Sequence, residues 1–191
     1  MGIPMHEIRE AVLHLLWKYG IKSDTWGTGS AKTLNHLIDE VSKKECILHE
    51  ENGSVYRVTR TLGINVYYGD DAKLLILRER MQVFVGGRIR TRNLDTSLGE
   101  KVSPDETPLH AAVRALWEEL GIEVTPDTVF RAKFPYLKGP QDSTSYPGLK
   151  TIHHIYPFDV TIPPIYYRPE GYVEAQVDKT TYFGWDEVQF D

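Results

Sequence analysis

The chain predicts an α+β fold, in which a large sheet is combined with a small number of helices. Apolar residues recur at helical spacing in the first 45 residues and again near residue 110. Most of the remaining chain consists of short segments rich in β-branched and aromatic residues, which are typical of strands. Turn-forming pairs, such as Asn52-Gly53 and Gly86-Gly87, separate several of these segments. The predicted strands cover 57–68, 74–77, 82–85, 88–92, 129–137, 151–160 and 180–185.

The N-terminal part predicts two helices followed by a hairpin. The first helix ends at Gly20, and the second lies around Leu37. The hairpin turns at Asn52-Gly53. The apolar stripe of the first helix is formed by Ile8, Val12, Leu15, Leu16 and Tyr19. We therefore divide the chain into an N-terminal helical extension with a hairpin, residues 1–54, and a main domain, residues 55–191.

Two helices followed by a hairpin are also the order of elements in a winged-helix DNA-binding unit. The second helix, however, mixes lysines with acidic residues, whereas a helix that reads DNA is strongly basic. The net charge of −5 also argues against general nucleic-acid binding. We therefore expect the extension to cover the main domain or to form the contact of a homodimer.

A further short helix, residues 108–120, has clear signals at both ends. Thr107 is a suitable N-cap, and Pro108 suits the first helical position, where its missing N–H costs nothing. Gly121 suits the residue just after the helix, which adopts a left-handed conformation. Between these signals, apolar residues recur at helical spacing, so one side of the helix is buried and the other is charged.

The charged side of this helix belongs to a longer pattern, which covers residues 99–122. Arg114 and Glu118 are four residues apart and can pair along the helix. The pattern resembles the box of the Nudix hydrolases, G-x5-E-x7-R-E-U-x-E-E-x-G-U, where U is aliphatic. The matching positions are Glu106, Arg114, Leu116, Glu118, Glu119, Gly121 and Ile122. Two positions depart from the box: Glu100 stands where it opens with Gly, and Ala115 stands where a Glu follows the Arg.

The resemblance covers roughly residues 55–191 and implies a Nudix fold, a mixed β-sheet sandwiched between α-helices, with the N-terminal helical extension outside it. It also implies hydrolysis of a diphosphate linkage in a nucleotide derivative, with Mg²⁺ or Mn²⁺ as the cofactor. By resemblance, Glu118 and Glu119 are metal ligands. Glu106 and Arg114 form a pair that supports the loop against the helix. Mg²⁺ is usually held by one or two carboxylates together with substrate phosphates.

The two departures leave alternatives open. The Glu that is absent at Ala115 is a metal ligand or a general base in many relatives, and a general base contributes about 10²–10⁴-fold in rate. The chain is therefore a slow hydrolase, a hydrolase with a relocated base, or a protein that binds a nucleotide or an RNA 5′ end without cleaving it. Glu100 is a candidate metal ligand, or an outward-facing strand residue. Glu170 and Glu174, expected in a loop before the last strand, are further candidates or are solvated.

Substrate contacts are expected outside the box. Arg88, Arg90 and Arg92 alternate along one predicted strand, so they share a face. They could contact a polyphosphate or an RNA 5′ end, or they could form an ordinary exposed surface. Tyr136 and Tyr146 flank a polar loop, and each could stack on a base, pack in the core or simply be exposed.

Composition favours an intracellular protein. Cys46 is the only cysteine, so an intramolecular disulfide is excluded and a reducing compartment is expected. No apolar run approaches the roughly 20 residues that a membrane-spanning helix needs. The N-terminal residues include acidic side chains and lack a small-residue cleavage site, so no secretory signal is expected. We therefore predict a cytoplasmic protein that acts on a small molecule and has no membrane partner.

Overall fold

The computed structural model describes residues 3–70 and 73–189, which divide into two compact units. The first unit consists of the described residues within Met1–Thr61, Lys101–Glu106 and Pro135–Ile155. The second consists of those within Leu62–Glu100, Thr107–Phe134 and Tyr156–Asp191. The units are interleaved along the chain, and the division after residue 54 stays a prediction.

The described residues form three α-helices, ten strands and one short 3₁₀ helix. In chain order these are α1 (Met5–Lys18), α2 (Leu34–Ser42), β1 (Cys46–Glu51), β2 (Ser54–Gly69), β3 (Leu74–Phe84), β4 (Ile89–Arg90), β5 (Leu98–Lys101), α3 (Pro108–Leu120), β6 (Val129–Ala132), β7 (Tyr136–Asp142), β8 (Lys150–Thr161), the 3₁₀ helix (Pro164–Tyr166), β9 (Tyr172–Ala175) and β10 (Lys179–Glu187). The predicted α+β class, with a helix at the N-terminus, is confirmed. In the part of the chain that is described, no helix is both long enough and apolar enough to cross a lipid bilayer.

The first unit contains the two predicted helices and the predicted hairpin. Strand β1 pairs antiparallel with β2, and Asn52 and Gly53 turn the chain with positive φ values of 50° and 73°. Helix α2 begins at the N-cap Thr33, whose hydroxyl accepts a hydrogen bond from the backbone N–H of His36. The apolar core of this unit is formed by Val12, Leu16, Trp26, Leu37, Ile38, Cys46, Val55, Tyr146 and Leu149.

The second unit is built on a mixed sheet. Its strand order is β6-β8-β2-β3-β10-β9, with β4 paired to β3 and β5 paired to β2. Asn65 donates a hydrogen bond to Asp159, and further along the same two strands the N–H of Ile162 donates to Tyr67. Residue numbers increase in the same direction along both strands from one contact to the next, so β2 and β8 run parallel. Strand β3, by contrast, pairs antiparallel with β2 and with β10. The mixed sheet implied by the family resemblance is therefore confirmed.

Helix α3 has the predicted ends. The Thr107 hydroxyl accepts a hydrogen bond from the backbone N–H of His110 at 3.2 Å, and Pro108 occupies the first turn. Gly121 ends the helix with a φ of 65°. The buried side of the helix is formed by Ala111, Ala112, Ala115, Leu116 and Leu120. Helix α3 contacts β9, which brings its other side to a cleft in the second unit.

Candidate functional site

Helix α3 offers two carboxylates to this cleft. Arg114 Nη1 donates to Glu118 Oε2 at 2.9 Å, so the pair expected at a spacing of four residues is formed. Glu118 and Glu119 both line the cleft. Ala115, by contrast, is completely buried. The residue that departs from the box therefore faces the protein interior.

Three neighbouring strands form the floor of the cleft. On β10, Thr181 lies opposite Gln82 of β3 and opposite Glu174 of β9. Residues directly opposite each other in antiparallel strands share one face of the sheet. All three line the cleft, and Gln82 and Thr181 are only 2% and 1% exposed. The floor is therefore polar although it is buried. Glu174 lies in a strand, so its predicted position in a loop is wrong.

A β-bulge in β3 adds another carboxylate to this floor. Two consecutive residues of β10 lie opposite Met81 and Glu79, so Arg80 is an extra residue in β3. Residues three apart in a regular strand point to opposite faces, but the extra residue brings Glu79 to the same face as Gln82. The contact between them agrees with this, because Gln82 Nε2 donates to Glu79 Oε2 at 3.2 Å.

Two arginines are held by these floor residues. Arg92 Nε donates to Glu79 Oε1 at 2.8 Å, and Arg92 Nη2 contacts Glu79 Oε2. Arg90 donates from Nε and Nη2 to Gln82 Oε1, at 3.1 and 2.6 Å. Arg92 lines the cleft. The chain Arg90–Gln82–Glu79–Arg92 therefore fixes a guanidinium group beside the carboxylates.

Arg88 and Arg90, the arginines predicted to contact substrate, lie over the ring of Phe84. Their guanidinium carbons are 4.2 and 5.4 Å from the centre of that ring. Neither residue is among those that line the cleft. Their contact with a substrate stays a prediction.

The cleft has a volume of about 210 Å³ and is lined mainly by charged and polar side chains. Carboxylates come from β3, β5, β9 and α3, and cations come from β10 and from the segment after β4. The lining residues are Glu79, Gln82, Arg92, Leu94, Ser97, Leu98, Gly99, Glu100, Glu118, Glu119, Glu174, Gln176, Lys179 and Thr181. The structure thus brings together five of the candidate site residues, namely Arg92, Glu100, Glu118, Glu119 and Glu174.

The environment of Glu119 strongly favours its protonated form. Burial raises the pKa of this carboxyl group, and the charges of Glu174 and Glu100 raise it further. Lys179 lowers the pKa and Glu79 raises it, and the result is a pKa of about 8. The cleft is lined by five carboxyl groups and two cationic side chains, and this excess of acidic groups favours binding of a cation.

The donors in the cleft suit a hard divalent cation. Glu100, Glu118 and Glu119 supply carboxylate oxygens, the ligand type that Mg²⁺ and Mn²⁺ prefer. Among residues 3–70 and 73–189, no three acidic, histidine or cysteine side chains already stand close enough together to hold a metal ion. The donor chemistry and the raised pKa of Glu119 therefore fit such an ion, and the side chains would have to converge to bind it.

Two predicted site residues belong to the first unit. Glu106 Oε2 accepts a hydrogen bond from the backbone N–H of Ser103 at 3.2 Å. Tyr136 lies in β7 and is half-exposed. The pairing of Glu106 with Arg114 and the stacking of Tyr136 on a base stay predictions. Tyr146 is completely buried in the core of the first unit, which confirms the core-packing alternative for this residue and not the stacking one.

Ser97 and Gln176 of the cleft were missed in the sequence, and so were four polar residues that lie in strands, namely Glu79, Gln82, Lys179 and Thr181. Each of these four lies in a strand that also contains buried apolar residues, and such strands normally place polar side chains towards solvent. The alternation of polar and apolar residues gave no signal for Thr181, because Thr180 beside it is also polar. It gave no signal for Glu79, whose direction depends on the bulge.

A family model agrees with these observations. The NUDIX domain model matches residues 59–188 of this chain, which is more than half of its length. All the residues that line the cleft fall within the matched stretch. A comparison with curated proteins finds no match.

Solved structures with some likeness to this chain have low identities. An Ap4A hydrolase from C. elegans is 16% identical, with a TM-score of 0.37, over 68% of this chain and 80% of that one. The NUDIX domain of Shewanella oneidensis NrtR, complexed with ADP ribose, is 13% identical, with a TM-score of 0.38, over 66% and 70%. The dihydroneopterin triphosphate pyrophosphohydrolase of E. coli is 15% identical, with a TM-score of 0.32, over 66% and 78%. These scores are too low to guide the assignment of a function.

Proposed function

Because the chain belongs to the NUDIX domain family over residues 59–188, we propose that it is a metal-dependent pyrophosphohydrolase that cleaves a diphosphate linkage in a nucleotide derivative. One observation carries this proposal: Glu118 and Glu119 of α3 meet a buried polar sheet floor in a single cleft. The excess negative charge there favours a divalent cation, and Arg92 beside it attracts phosphate. The site therefore has a place for both partners of the reaction.

In this proposal Glu100, Glu118 and Glu119 hold Mg²⁺ or Mn²⁺. Such an ion, when bound, neutralises phosphate charge and lowers the pKa of an attacking water. Arg114 orients Glu118 through their 2.9 Å hydrogen bond. This exposed carboxylate is therefore already ordered, and it loses less conformational freedom when it binds the metal ion. The sequence-based pairing of Glu106 with Arg114 would extend this support to the loop before the helix.

Arg92 is a preorganised phosphate contact in the same proposal. Its guanidinium is already held by Glu79, so little reorganisation is needed when charge develops on a phosphoryl oxygen. We also retain Arg88, Arg90 and Tyr136 as proposed substrate contacts. Arg88 and Arg90 would bind parts of the substrate that extend beyond the cleft.

Product release from a panel of substrates tests the proposal. The panel contains nucleoside diphosphate derivatives, dinucleotides and capped RNA, each with Mg²⁺ or Mn²⁺. The double variant Glu118→Gln/Glu119→Gln should lose metal-dependent activity, because the amides keep the shape of both side chains but remove their charge. Glu123→Gln is the matched control, since Glu123 follows the same helix, is exposed and lies outside the cleft. Turnover that survives in the double variant would exclude the proposed site.

The second candidate function is binding of a nucleotide or an RNA 5′ end without cleavage. The presence of Ala115 in place of the box Glu favours it, because α3 supplies one carboxylate fewer than the family box. A general base of this kind contributes about 10²–10⁴-fold in rate. Saturable binding of a panel member, with no product in the presence of either metal, would select this function.

Two further parts of the proposal concern the cell and the assembly. We propose a cytoplasmic location and a homodimer contact through the N-terminal extension. Helix α1 supports the second idea, because Trp17 and Met5 are 79% and 52% exposed on it. Sedimentation of the full chain and of Trp17→Lys tests the dimer, and a fluorescent fusion tests the location.

A further inference from the structure

Thr181 has an unusual position on the floor of the cleft. Its side-chain oxygen is buried and has no hydrogen-bond partner among the described residues. Buried polar atoms in folded proteins nearly always have a partner, which can be protein, water or ligand. Thr181 also lines the cleft. Its hydroxyl is therefore a donor that the fold buries but leaves for something in the cleft to use.

The neighbours of Thr181 on the same face are engaged elsewhere. Gln82, opposite it on β3, donates to Glu79 and accepts from Arg90. Glu174, opposite it on β9, accepts a hydrogen bond from Gln176. The Thr181 hydroxyl contacts neither of these cross-strand neighbours in the structure.

Lys179 lies two residues before Thr181 on β10, so both side chains point to the same face. Lys179 lines the same cleft, where its positive charge acts on the carboxyl group of Glu119. Its cross-strand neighbour is Phe84, which offers no counter-charge. The floor therefore presents a cationic donor and a hydroxyl donor side by side, next to the carboxylates.

On these observations we propose that Lys179 and Thr181 form a subsite that binds the phosphate oxygens of the diphosphate linkage. This inference rests on the proposed function and specifies which part of the substrate enters the cleft. No aromatic side chain lines the cleft among the described residues, so it has no surface on which a base could stack. Its volume of about 210 Å³ is also below the roughly 300–1,000 Å³ of sites that enclose a whole small ligand. The diphosphate lies inside the cleft, and the base lies outside it.

Binding of inorganic pyrophosphate to the full chain with Mn²⁺, followed by calorimetry, tests the subsite. Thr181→Val keeps the size of the side chain but removes the hydroxyl, and it should weaken pyrophosphate binding about 5–10-fold. Lys179→Met should weaken it about 10–100-fold, because the lost hydrogen bond is charged. Thr181→Ser retains the hydroxyl and should stay within about twofold of the unchanged protein.

Thr180→Val is the matched control, because Thr180 points to the opposite face of β10. It should bind pyrophosphate like the unchanged protein. Thermal unfolding of Thr181→Val separates a binding defect from a folding defect, since removal of an unsatisfied buried hydroxyl should not lower the melting temperature.

Three results would overturn the subsite: pyrophosphate that does not bind the unchanged protein, a Thr181→Val protein that binds it normally, or a Thr181→Ser protein as weak as Thr181→Val. The second of these would mean that the hydroxyl holds an ordered water. If one of these results is found and the protein still hydrolyses the substrate panel, the subsite is wrong and the proposed function stands. If pyrophosphate binding depends on Thr181 but the protein has no hydrolase activity, the subsite stands and the proposed function is wrong.

Discussion

Replacing Glu40 by Gln should destabilise the first unit by about 3–5 kcal/mol, because it removes one partner of a buried ion pair. Glu40 in α2 and Arg57 in β2 are only 5% and 7% exposed. Glu40 Oε2 accepts from Arg57 Nε and Nη2 at 3.0 and 2.6 Å. Glu40 Oε1 accepts from Lys32 at 2.7 Å and from Lys101 at 3.3 Å. Without the carboxylate, the Arg57 guanidinium stays buried with no opposite charge beside it.

The pH dependence of stability gives a second, independent value for the contribution of this pair to the free energy of unfolding. Burial alone would raise the pKa of Glu40, but hydrogen bonds from Lys32 and Arg57 lower it from 4.5 to about 2. Since one pKa unit corresponds to about 1.4 kcal/mol, the ionised Glu40 contributes about 3 kcal/mol. A carboxyl group whose pKa is lowered by folding stabilises the protein above its unfolded pKa. This contribution should therefore be present above pH 4.5 and should be lost as the pH falls towards 2.

Urea unfolding of the full chain between pH 2.5 and 7, with hydrogen exchange of the α2 amides, measures both effects. Glu45→Gln is the matched control, because Glu45 also pairs with Lys101 but its side chain is 35% exposed. The Glu45→Gln variant should lose less than about 1 kcal/mol of unfolding free energy. Glu40→Gln should also lose most of the acid dependence of α2 exchange. A Glu40→Gln protein that unfolds like Glu45→Gln, or that keeps the full acid dependence, would refute this account of the pair.

Two other substitutions test helix α3. Burial beside Glu174 and Glu100 raises the pKa of Glu119 to about 8, so ionisation of this group opposes folding. Without a divalent cation, the melting temperature should therefore fall as the pH rises from 4.5 to 8. Added Mn²⁺ should restore it at pH 8 more than at pH 5, and Glu119→Gln should remove both trends; an unchanged trend in that variant would contradict the assignment. Ala115→Glu should cost about 3–5 kcal/mol in urea unfolding, because it places a carboxylate at a position with no exposure. Trp117→Glu, at an exposed position of the same helix, is its control and should change stability by about 0.5 kcal/mol or less.

Helix α3 could be predicted from the sequence because the signals at its ends act locally. The Thr107 hydroxyl reaches a backbone N–H three residues away, and Gly121 adopts its left-handed conformation without help from distant residues. The turn at Asn52-Gly53 was predicted for the same reason. The carboxylates of α3 could be predicted as site residues because the box fixes their spacing in the sequence, and the helix brings residues at that spacing to the same cleft.

The sheet floor could not be predicted in this way, because it depends on the register of three strands that are distant in sequence. A shift of one residue would turn Thr181 away from Gln82 and towards the other face. Glu79 depends in addition on the extra residue Arg80, which the sequence of β3 does not reveal. The buried polar character of the floor is therefore a property of the assembled sheet and of no single strand.

The assembled sheet also indicates which residue could replace the carboxylate that this chain lacks at Ala115. Because Ala115 is completely buried, a longer side chain could not stand there without displacing its neighbours. An additional oxygen donor for a cation could then come from Glu100 of β5 or from the floor, where Glu79 and Glu174 are the candidates. Both oxygens of Glu79 already accept hydrogen bonds from Arg92. Glu174 accepts one from Gln176 at a single oxygen, and its charge acts directly on Glu119. We therefore infer that Glu174 is better placed than Glu79 to complete the carboxylate set.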